Sequence, residues 1–162
     1  MSTEELQNCR INTRISSLFF DGASKGKPRI VGAGGVIFDC KRNKQKEYAC
    51  GIGRETNNGV EWYALIKGLE LAKEMEIEEI NVIGDSSIVI GEVRNISRDW
   101  NTPSAKMHHM FFCLVKEFNT ITFLHVLRGQ NQQALSMANK GVGLNCDVLE
   151  NDSVITKIVR IP

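Results

Sequence analysis

The stretch Ser17-Leu-Phe-Phe-Asp-Gly-Ala-Ser-Lys-Gly26 decides how this chain folds. Its apolar run over residues 18–20 is typical of the end of a buried strand. The glycines and the proline that follow indicate a turn. Asp21 comes directly after the apolar run, and a carboxylate there is costly unless a metal ion, a cation or backbone N–H groups compensate its charge. The alternative is an aspartate that starts a turn and bonds its own backbone.

The composition is that of a soluble globular protein with one domain. The chain has 162 residues, enough for a proper core, and its net charge of +1 gives no overall electrostatic argument for or against nucleic acid. Its five cysteines are widely spaced and form no CxxC pair, which predicts reduced thiols. The acidic N-terminus and the lack of a long apolar run predict an intracellular protein without a membrane partner, with nuclear and cytoplasmic locations both open.

The pattern of strands and helices predicts one mixed sheet with helices on both faces. Three early strands joined by short turns form an antiparallel meander, and the later strands need crossover helices. We expect a flexible lead-in over 1–15, a folded domain over 16–143 and an extension over 144–162 that adds an edge strand within 154–161. The predicted strands end near residue 21 and cover 31–39, 45–52, 78–84 and 120–127; the predicted helices cover 61–75, 86–95, 104–118 and 132–140, the last capped by Gly141.

Two further carboxylates are placed to converge on Asp21. Glu61 lies one turn before the apolar residues of its helix and on the same face, although Asn58 and Glu61 also fit a capping box. Asp85 ends a strand and precedes Ser86 and a helix, so a helix N-cap is its alternative role. In open α/β sheets, ligands bind at the carboxyl ends of parallel strands.

A cluster of three carboxylates has a defined chemistry. The charges repel one another at separations of about 4–6 Å, so a pKa rises or a divalent cation binds. Oxygen ligands suit Mg²⁺ or Mn²⁺. Such ions activate water and stabilise the leaving oxygen in phosphodiester hydrolysis.

Five stretches of the chain together resemble the ribonuclease H family, and most closely the reverse-transcriptase-like domains of plants and retroelements. The resemblance covers about residues 16–143, and its most specific part is the Thr-Asn-Asn-x-x-Glu pattern. The stretches are Asp21-Gly-Ala-Ser-Lys-Gly, Gly34-Gly35-Val, Thr56-Asn-Asn-Gly-Val-Glu61-Trp-Tyr-Ala-Leu, Gly84-Asp85-Ser and Asn131-Gln-Gln-Ala-Leu135-Ser-Met-Ala-Asn139.

The resemblance implies a fold and an activity. It implies the α/β ribonuclease H-like fold, a five-stranded mixed sheet whose first three strands are antiparallel, flanked by helices on both faces. It also implies two Mg²⁺ or Mn²⁺ ions and cleavage of the RNA strand of an RNA–DNA hybrid. Asp21 would bridge both ions, while Glu61 and Asp85 would hold the second. We expect a monomer that binds such a hybrid or another RNA or DNA duplex.

The resemblance also places the substrate beside the carboxylates. Asn57 and Asn58 match the positions that touch the hybrid, and amides suit sugar 2′-hydroxyls and base edges. The basic turn with Lys25, Lys27 and Arg29 is predicted to contact phosphates, with a solvated turn as the alternative. The predicted substrate-binding residues are Gly22, Ser24, Lys25, Asn57, Asn58 and Ser86.

One position departs from the family pattern. The family has a fourth acidic ligand four residues after an asparagine, whereas here Asn131 leads to Leu135. Leucine cannot bind a metal, and Leu135, Ala138 and Val142 form an ordinary apolar helix face. In the family, that acid helps to hold the ion that activates water, so we expect poor occupancy of one ion site.

His125 has two possible roles. Many family members keep a histidine near this position on a mobile loop that aids product release. In this chain His125 lies inside the alternating stretch Phe123-Leu-His-Val-Leu, which favours a histidine at a strand end with a structural hydrogen bond.

Three functions remain open from the sequence. The first is a metal-dependent hybrid ribonuclease that is weakened or inactivated by Leu135, and the three retained carboxylates favour it. The second is a non-catalytic nucleic-acid-binding or scaffold domain, which Leu135 and the near-neutral charge favour. The third is another metal-dependent nuclease of the same fold, because a fold does not determine function.

Overall fold

The structure, a computed structural model, describes residues 15–94, 105–146, 148–151 and 154–157. The predicted lead-in before residue 15 lies outside these segments. The strands are β1 (Ser16–Lys25), β2 (Ile30–Phe38), β3 (Lys44–Gly53), β4 (Glu79–Gly84), β5 (Thr120–His125), β6 (Val148–Asn151) and β7 (Val154–Lys157). The helices are α1 (Asn57–Glu74), α2 (Ser87–Arg94), α3 (Ala105–Val115) and α4 (Gln132–Val142), with a 3₁₀ turn at Arg128–Gln130.

The strands form one mixed sheet in the order β5-β4-β1-β2-β3-β6-β7. The predicted antiparallel arrangement of β1, β2 and β3 is confirmed, and β4 and β5 are parallel to β1. The predicted number of five strands is wrong, because the described residues form a sheet of seven. The chain after residue 144 returns to the edge of β3, where β6 pairs with Tyr48 to Gly51 and β7 then pairs with β6.

β1 is longer than the sequence predicts. It continues past Asp21 to Lys25 because β2 pairs with it from Ser17, opposite Phe38, to Lys25, opposite Ile30. The parallel pairing with β4 stops earlier, at Phe20 opposite Gly84. Asp21 therefore lies inside a strand, at the point where β4 leaves it. Beyond Phe20, the side of β1 that faced β4 has no paired strand, which leaves a gap beside β1. Ligand sites of open α/β sheets form at such places.

Successive residues of β1 point to opposite faces of the sheet. Leu18 and Phe20 pack in the main core with α1, α2 and α3. Phe19 packs in a second cluster with Ala134 of α4. The sheet is thus covered on both faces, as predicted. Among the described helices, none is long and apolar enough to cross a membrane.

The first turn of α1 is held by Thr56. The Thr56 hydroxyl accepts a hydrogen bond from the Gly59 backbone N–H at 2.9 Å, so Thr56 is the N-cap. The capping box of Asn58 and Glu61, which was the alternative role of Glu61, is therefore not formed, and the Glu61 carboxylate is left for another role. Further along α1, the fully buried Tyr48 of β3 donates its hydroxyl to the Ala64 carbonyl at 2.5 Å.

α4 lies directly against the backbone of the sheet. A Cβ atom added to Gly34 would lie 2.4 Å from the Ala138 nitrogen, and one added to Gly141 would lie 2.5 Å from the Cys50 carbonyl oxygen. Glycine is needed at both positions because no other residue permits this approach. Gly141 is therefore not the predicted C-cap; the helix runs through it and ends with Gly143 as its cap.

Gly34→Ala is expected to lower the free energy of unfolding by about 1–3 kcal/mol, because the methyl group would overlap the helix backbone. Gly91→Ala is the matched control, since a Cβ at Gly91 meets no atom within 4 Å. Alanine in place of that helical glycine should be neutral or stabilising by up to about 1 kcal/mol. Urea unfolding of both variants measures the difference; equal stabilities would contradict this account of the α4 contact.

Candidate active site

The three predicted carboxylates converge at the gap beside β1. One oxygen from each of Asp21, Glu61 and Asp85 lies within 4.8 Å of the others. Asp21 comes from β1, Glu61 from the start of α1 and Asp85 from the residue that follows β4. The carboxylate oxygens of the three residues therefore lie within the separation of about 4–6 Å at which their charges interact strongly. Asp21 is only 3% exposed, so this is not a cluster of solvated surface acids.

One backbone N–H group holds two of the three carboxylates side by side. The Gly22 N–H donates to Asp21 Oδ1 at 2.8 Å and to Glu61 Oε1 at 3.1 Å. The hydroxyl of Ser86 accepts a hydrogen bond from the Val89 N–H at 3.2 Å and so caps α2. Asp85 is therefore not the helix cap that was its alternative role, and its carboxylate stays at the site.

The donor set fits a divalent cation. Glu61 Oε2 and Asp85 Oδ2 are buried oxygen atoms that accept no hydrogen bond from any described residue. Buried carboxylate oxygens without donors are costly, and a hard cation satisfies them. Asp21, Glu61 and Asp85 are thus the residues that would hold such an ion.

The electrostatics of the site agree with this interpretation. Burial and the neighbouring Asp21 carboxylate raise the pKa of Glu61 to about 10. Burial also raises the pKa of Asp21 to about 6, and the charge of Asp85 contributes to the rise. Without a cation, Glu61 keeps its proton at neutral pH. A bound cation requires the ionised form, so its binding releases a proton.

The raised pKa of Glu61 predicts how the stability of the metal-free protein depends on pH. The folded protein binds this proton more tightly than the unfolded chain does, so the free energy of unfolding should fall as the pH rises between about 4.5 and about 10. Thermal unfolding in chelator at several pH values measures the slope. Glu61→Gln should flatten it, and an identical slope in the variant would show that another group is responsible.

A cleft of about 440 Å³ opens over the carboxylates. It is lined by Asp21, Gly22, Ala23, Ser24, Asn57, Val60, Glu61, Asp85, Arg128, Leu135 and Asn139. Three of the predicted substrate-binding residues, Gly22, Ser24 and Asn57, are in this lining. Lys25, Asn58 and Ser86 are not: Lys25 is exposed at the end of β1, Ser86 caps α2 and Asn58 donates to Glu92 Oε1 at 2.8 Å.

Leu135 occupies the position at which the family pattern has its fourth acidic residue. It is half-buried on α4 and lines the cleft that contains the three carboxylates. The α4 sequence Gln-Gln-Ala-Leu-Ser-Met-Ala-Asn-Lys-Gly-Val has no acidic residue. The polar residue that α4 does contribute to the cleft is Asn139, one turn after Leu135.

Arg128 is a residue of the site that sequence reasoning missed. It is an exposed residue at the start of the 3₁₀ turn between β5 and α4, and it lines the cleft. Its positive charge partly offsets the effect of burial on the pKa of Asp21. The available signal was its place three residues before Asn131, where the last stretch of the resemblance begins.

His125 forms a structural contact at the edge of the site. It is the last residue of β5 and is exposed, and its Nε2 lies 3.2 Å from the Asp85 carbonyl oxygen. This contact is the strand-end hydrogen bond that its sequence context favours. It ties the end of β5 to the segment that carries Asp85.

Most of the chain matches a known protein family. The family model described as reverse transcriptase-like matches residues 19–141. The chain belongs to the reverse transcriptase-like family. The match ends before β6, so the two C-terminal strands of this reverse transcriptase-like protein lie beyond the part it shares with the family model.

Curated relatives of this reverse transcriptase-like protein include a ribonuclease HI of Halobacterium salinarum. It is 32% identical over 125 residues, which cover 76% of this chain and 62% of the relative. A bifunctional protein of Mycobacterium tuberculosis is 29% identical over 140 residues, which cover 86% of this chain and 38% of that protein. The chain thus spans less than two thirds of the length of these relatives.

Solved structures show the same fold. The crystal structure of ribonuclease H1 from Halobacterium salinarum matches with a TM-score of 0.72 and 31% identity, covering 79% of this chain and 97% of that one. The structure of LC11 ribonuclease H1 in complex with an RNA/DNA hybrid matches with a TM-score of 0.71 and 25% identity, covering 79% and 96%. The reverse transcriptase-like chain therefore has a ribonuclease H-like fold.

Proposed function

We propose that this domain binds RNA–DNA hybrids and hydrolyses the RNA strand with Mg²⁺ or Mn²⁺, slowly because position 135 is leucine. The observation that carries the proposal is the convergence of Asp21, Glu61 and Asp85, with two buried carboxylate oxygens that lack donors. The similarity to ribonucleases H from other organisms supports the same reaction and the same class of substrate.

The three carboxylates would hold one cation. The bound ion would polarise the phosphate and stabilise the leaving oxygen of the RNA strand. Gly22 keeps Asp21 and Glu61 in place through its N–H group. Leu135 offers neither a charge nor a hydrogen-bond acceptor to a water molecule on its side of the cleft, so the nucleophile is poorly activated and the reaction is slow.

Other residues of the cleft would bind the nucleic acid. Asn57 and Ser24 provide hydrogen-bonding groups beside the carboxylates, and Arg128 provides a positive charge for a phosphate. No hydrogen bond or ion pair of the Arg128 guanidinium is formed with the described residues, so this charge is available to a ligand.

Arg128→Ala is expected to weaken hybrid binding. It should also reduce the slope of log Kd against log salt concentration by about one unit. The reason is that one phosphate contact is lost, and Arg128→Lys should preserve the slope because it keeps the charge. Fluorescence anisotropy with a labelled hybrid at several salt concentrations measures both variants. An unchanged salt slope in Arg128→Ala would mean that Arg128 does not contact phosphate.

Cleavage of a labelled hybrid tests the proposal directly. The wild type should cut the RNA strand slowly with Mg²⁺ or Mn²⁺ and not at all with chelator, and Asp21→Asn should be inactive. Duplex RNA and duplex DNA serve as competing substrates. Binding of the hybrid without any cleavage would favour the second candidate, a non-catalytic nucleic-acid-binding domain, for which the absence of an acid from α4 is the supporting observation.

A further inference from the structure

Arg29 forms a bridge between the β1–β2 turn and the start of α1. Its Nη1 donates a hydrogen bond to Asn57 Oδ1. Its Nη2 donates to the Glu55 backbone carbonyl at 2.9 Å. The planar guanidinium thus contacts two acceptors at once, which suits the fork geometry of arginine. Sequence reasoning predicted a phosphate contact for Arg29, but the structure shows the guanidinium directed to protein atoms.

This contact determines the orientation of the Asn57 amide. A guanidinium has donors and no acceptor, so the amide atom that faces Arg29 must be the oxygen. The NH₂ group then lies at the other end of the amide. Asn57 lines the cleft, and its NH₂ group donates to no acceptor among the described residues. The group that Asn57 can offer to a ligand in the cleft is therefore a donor.

The neighbouring Asn58 is oriented in the opposite way and inside the protein. Its NH₂ group donates to Glu92 Oε1 at 2.8 Å, and Glu92 Oε2 also accepts from the Trp62 indole N–H at 3.2 Å. The Asn58 carbonyl oxygen is buried. Of the two adjacent asparagines, only Asn57 faces the cleft, so the contact with Arg29 decides what this pair presents to a ligand.

We propose that Arg29 is a positioning residue that holds the Asn57 amide as a hydrogen-bond donor to the nucleic acid; the proposal rests on the hybrid-binding function proposed above. A donor pairs with acceptors that do not depend on base identity, namely the 2′-hydroxyl oxygen and the minor-groove N3 and O2 atoms. Without Arg29, the Asn57 amide rotates and presents its carbonyl oxygen to the nucleic acid part of the time. A carbonyl oxygen has fewer hydrogen-bond partners in the minor groove than an NH₂ group has. Arg29 thereby favours binding that tolerates any sequence.

A double-mutant cycle separates this role from a direct phosphate contact. Hybrid binding is measured by anisotropy without divalent cations, so that the substrate stays intact. Arg29→Ala and Asn57→Ala should each weaken binding by roughly three- to tenfold, the value of one hydrogen bond. Because Arg29 acts through Asn57, the double variant should bind no more weakly than Asn57→Ala alone. Additive effects would overturn the proposal.

Two further variants provide matched comparisons. Arg29→Lys keeps the charge but cannot reach both acceptors, so it should bind as weakly as Arg29→Ala and keep the wild-type salt dependence. Wild-type affinity in Arg29→Lys would overturn the proposal. Lys27→Ala removes a cation from the same turn, and its effect should add to that of Asn57→Ala.

A measurement on the free protein separates failure of this inference from failure of the proposed function. In ¹⁵N NMR spectra, the two side-chain NH₂ protons of Asn57 should be well separated in the wild type and in Lys27→Ala. They should move toward the positions of a mobile amide in Arg29→Ala and Arg29→Lys. If these signals do not respond, the orienting role is wrong. If they respond but the wild type binds no hybrid, the proposed function fails and the orienting contact stands.

Discussion

Leu135→Asp is expected to increase Mg²⁺-dependent cleavage of an RNA–DNA hybrid by on the order of 10²-fold, the effect of one well-placed electrostatic group. Leu135 lines the same cleft as the three carboxylates, so a carboxylate there can hold a second cation or an attacking water. The gain should appear only with Mg²⁺ or Mn²⁺, because without a cation the fourth carboxylate adds repulsion. Initial rates on the same labelled hybrid compare the two proteins.

Stability must be measured beside activity. Loss of a half-buried leucine side chain costs up to about 2–4 kcal/mol of stability, although Asp at the start of α4 interacts favourably with the helix dipole. Leu135→Asn controls for size and polarity and should not gain activity. If the folded Asp variant is no faster than the wild type, another group already replaces the fourth ligand. If both proteins are inactive although they bind metal, substrate docking is the defect.

Asp21→Asn is expected to abolish divalent-cation binding and, at the same time, to stabilise the metal-free protein. Asp21 is the most buried of the three acidic residues, and burial together with Asp85 disfavours its charge. Removing that charge should raise the melting temperature in chelator by a few degrees, the effect of about 1 kcal/mol in a domain of this size. Calorimetry with Mn²⁺ should show about one site in the wild type and none in the variant.

Glu74→Gln is a matched control for the loss of one negative charge. Glu74 is exposed at the end of α1, far along the helix from Glu61. The Glu74→Gln substitution should leave Mn²⁺ binding unchanged. Two sites of similar, high affinity in the wild type would contradict the account of Leu135, and a variant Asp21→Asn that still binds Mn²⁺ would contradict the account of the cluster.

The main part of the site follows from local sequence patterns. Apolar runs that end in Asp21 and Asp85 predict carboxylates at the same end of neighbouring strands, and helical spacing predicts that Glu61 faces the sheet. These predictions succeed because strand period, helix period and burial all act over a few residues. The same patterns place Leu135 on the inner face of α4, so the incomplete acidic set is also visible in the sequence.

The remainder depends on contacts between distant parts of the chain. Arg29 and Asn57 are 28 residues apart, and no local pattern says which end of an amide faces the cleft. Arg128 is a single arginine in a turn. Turns have neither the helical nor the strand periodicity that indicates which side chains face a site. Gly141 fits a helix C-cap by its position, yet the helix continues because the glycine allows contact with the sheet backbone.

β6 was missed for a related reason. Its four residues, Val-Leu-Glu-Asn, are too few and too polar to predict a strand by themselves. They become one because the edge of β3 offers backbone partners, and strand formation depends strongly on such context. The predicted number of strands was therefore wrong, although the predicted antiparallel meander of β1, β2 and β3 is confirmed.

The two C-terminal strands lie along the outer edge of β3. Without β6, the ten-residue strand β3 would present a row of unpaired N–H and C=O groups on its outer side. A long open edge of this kind is a template for pairing with another chain and hence for aggregation. β6 pairs with the central part of this edge, Tyr48 to Gly51, and the outer strand β7 has four residues within the described part of the chain. A shortened protein that stops where the family match stops, at residue 141, would keep the acidic cluster but expose this edge, and it should precipitate at concentrations at which the full chain stays dissolved.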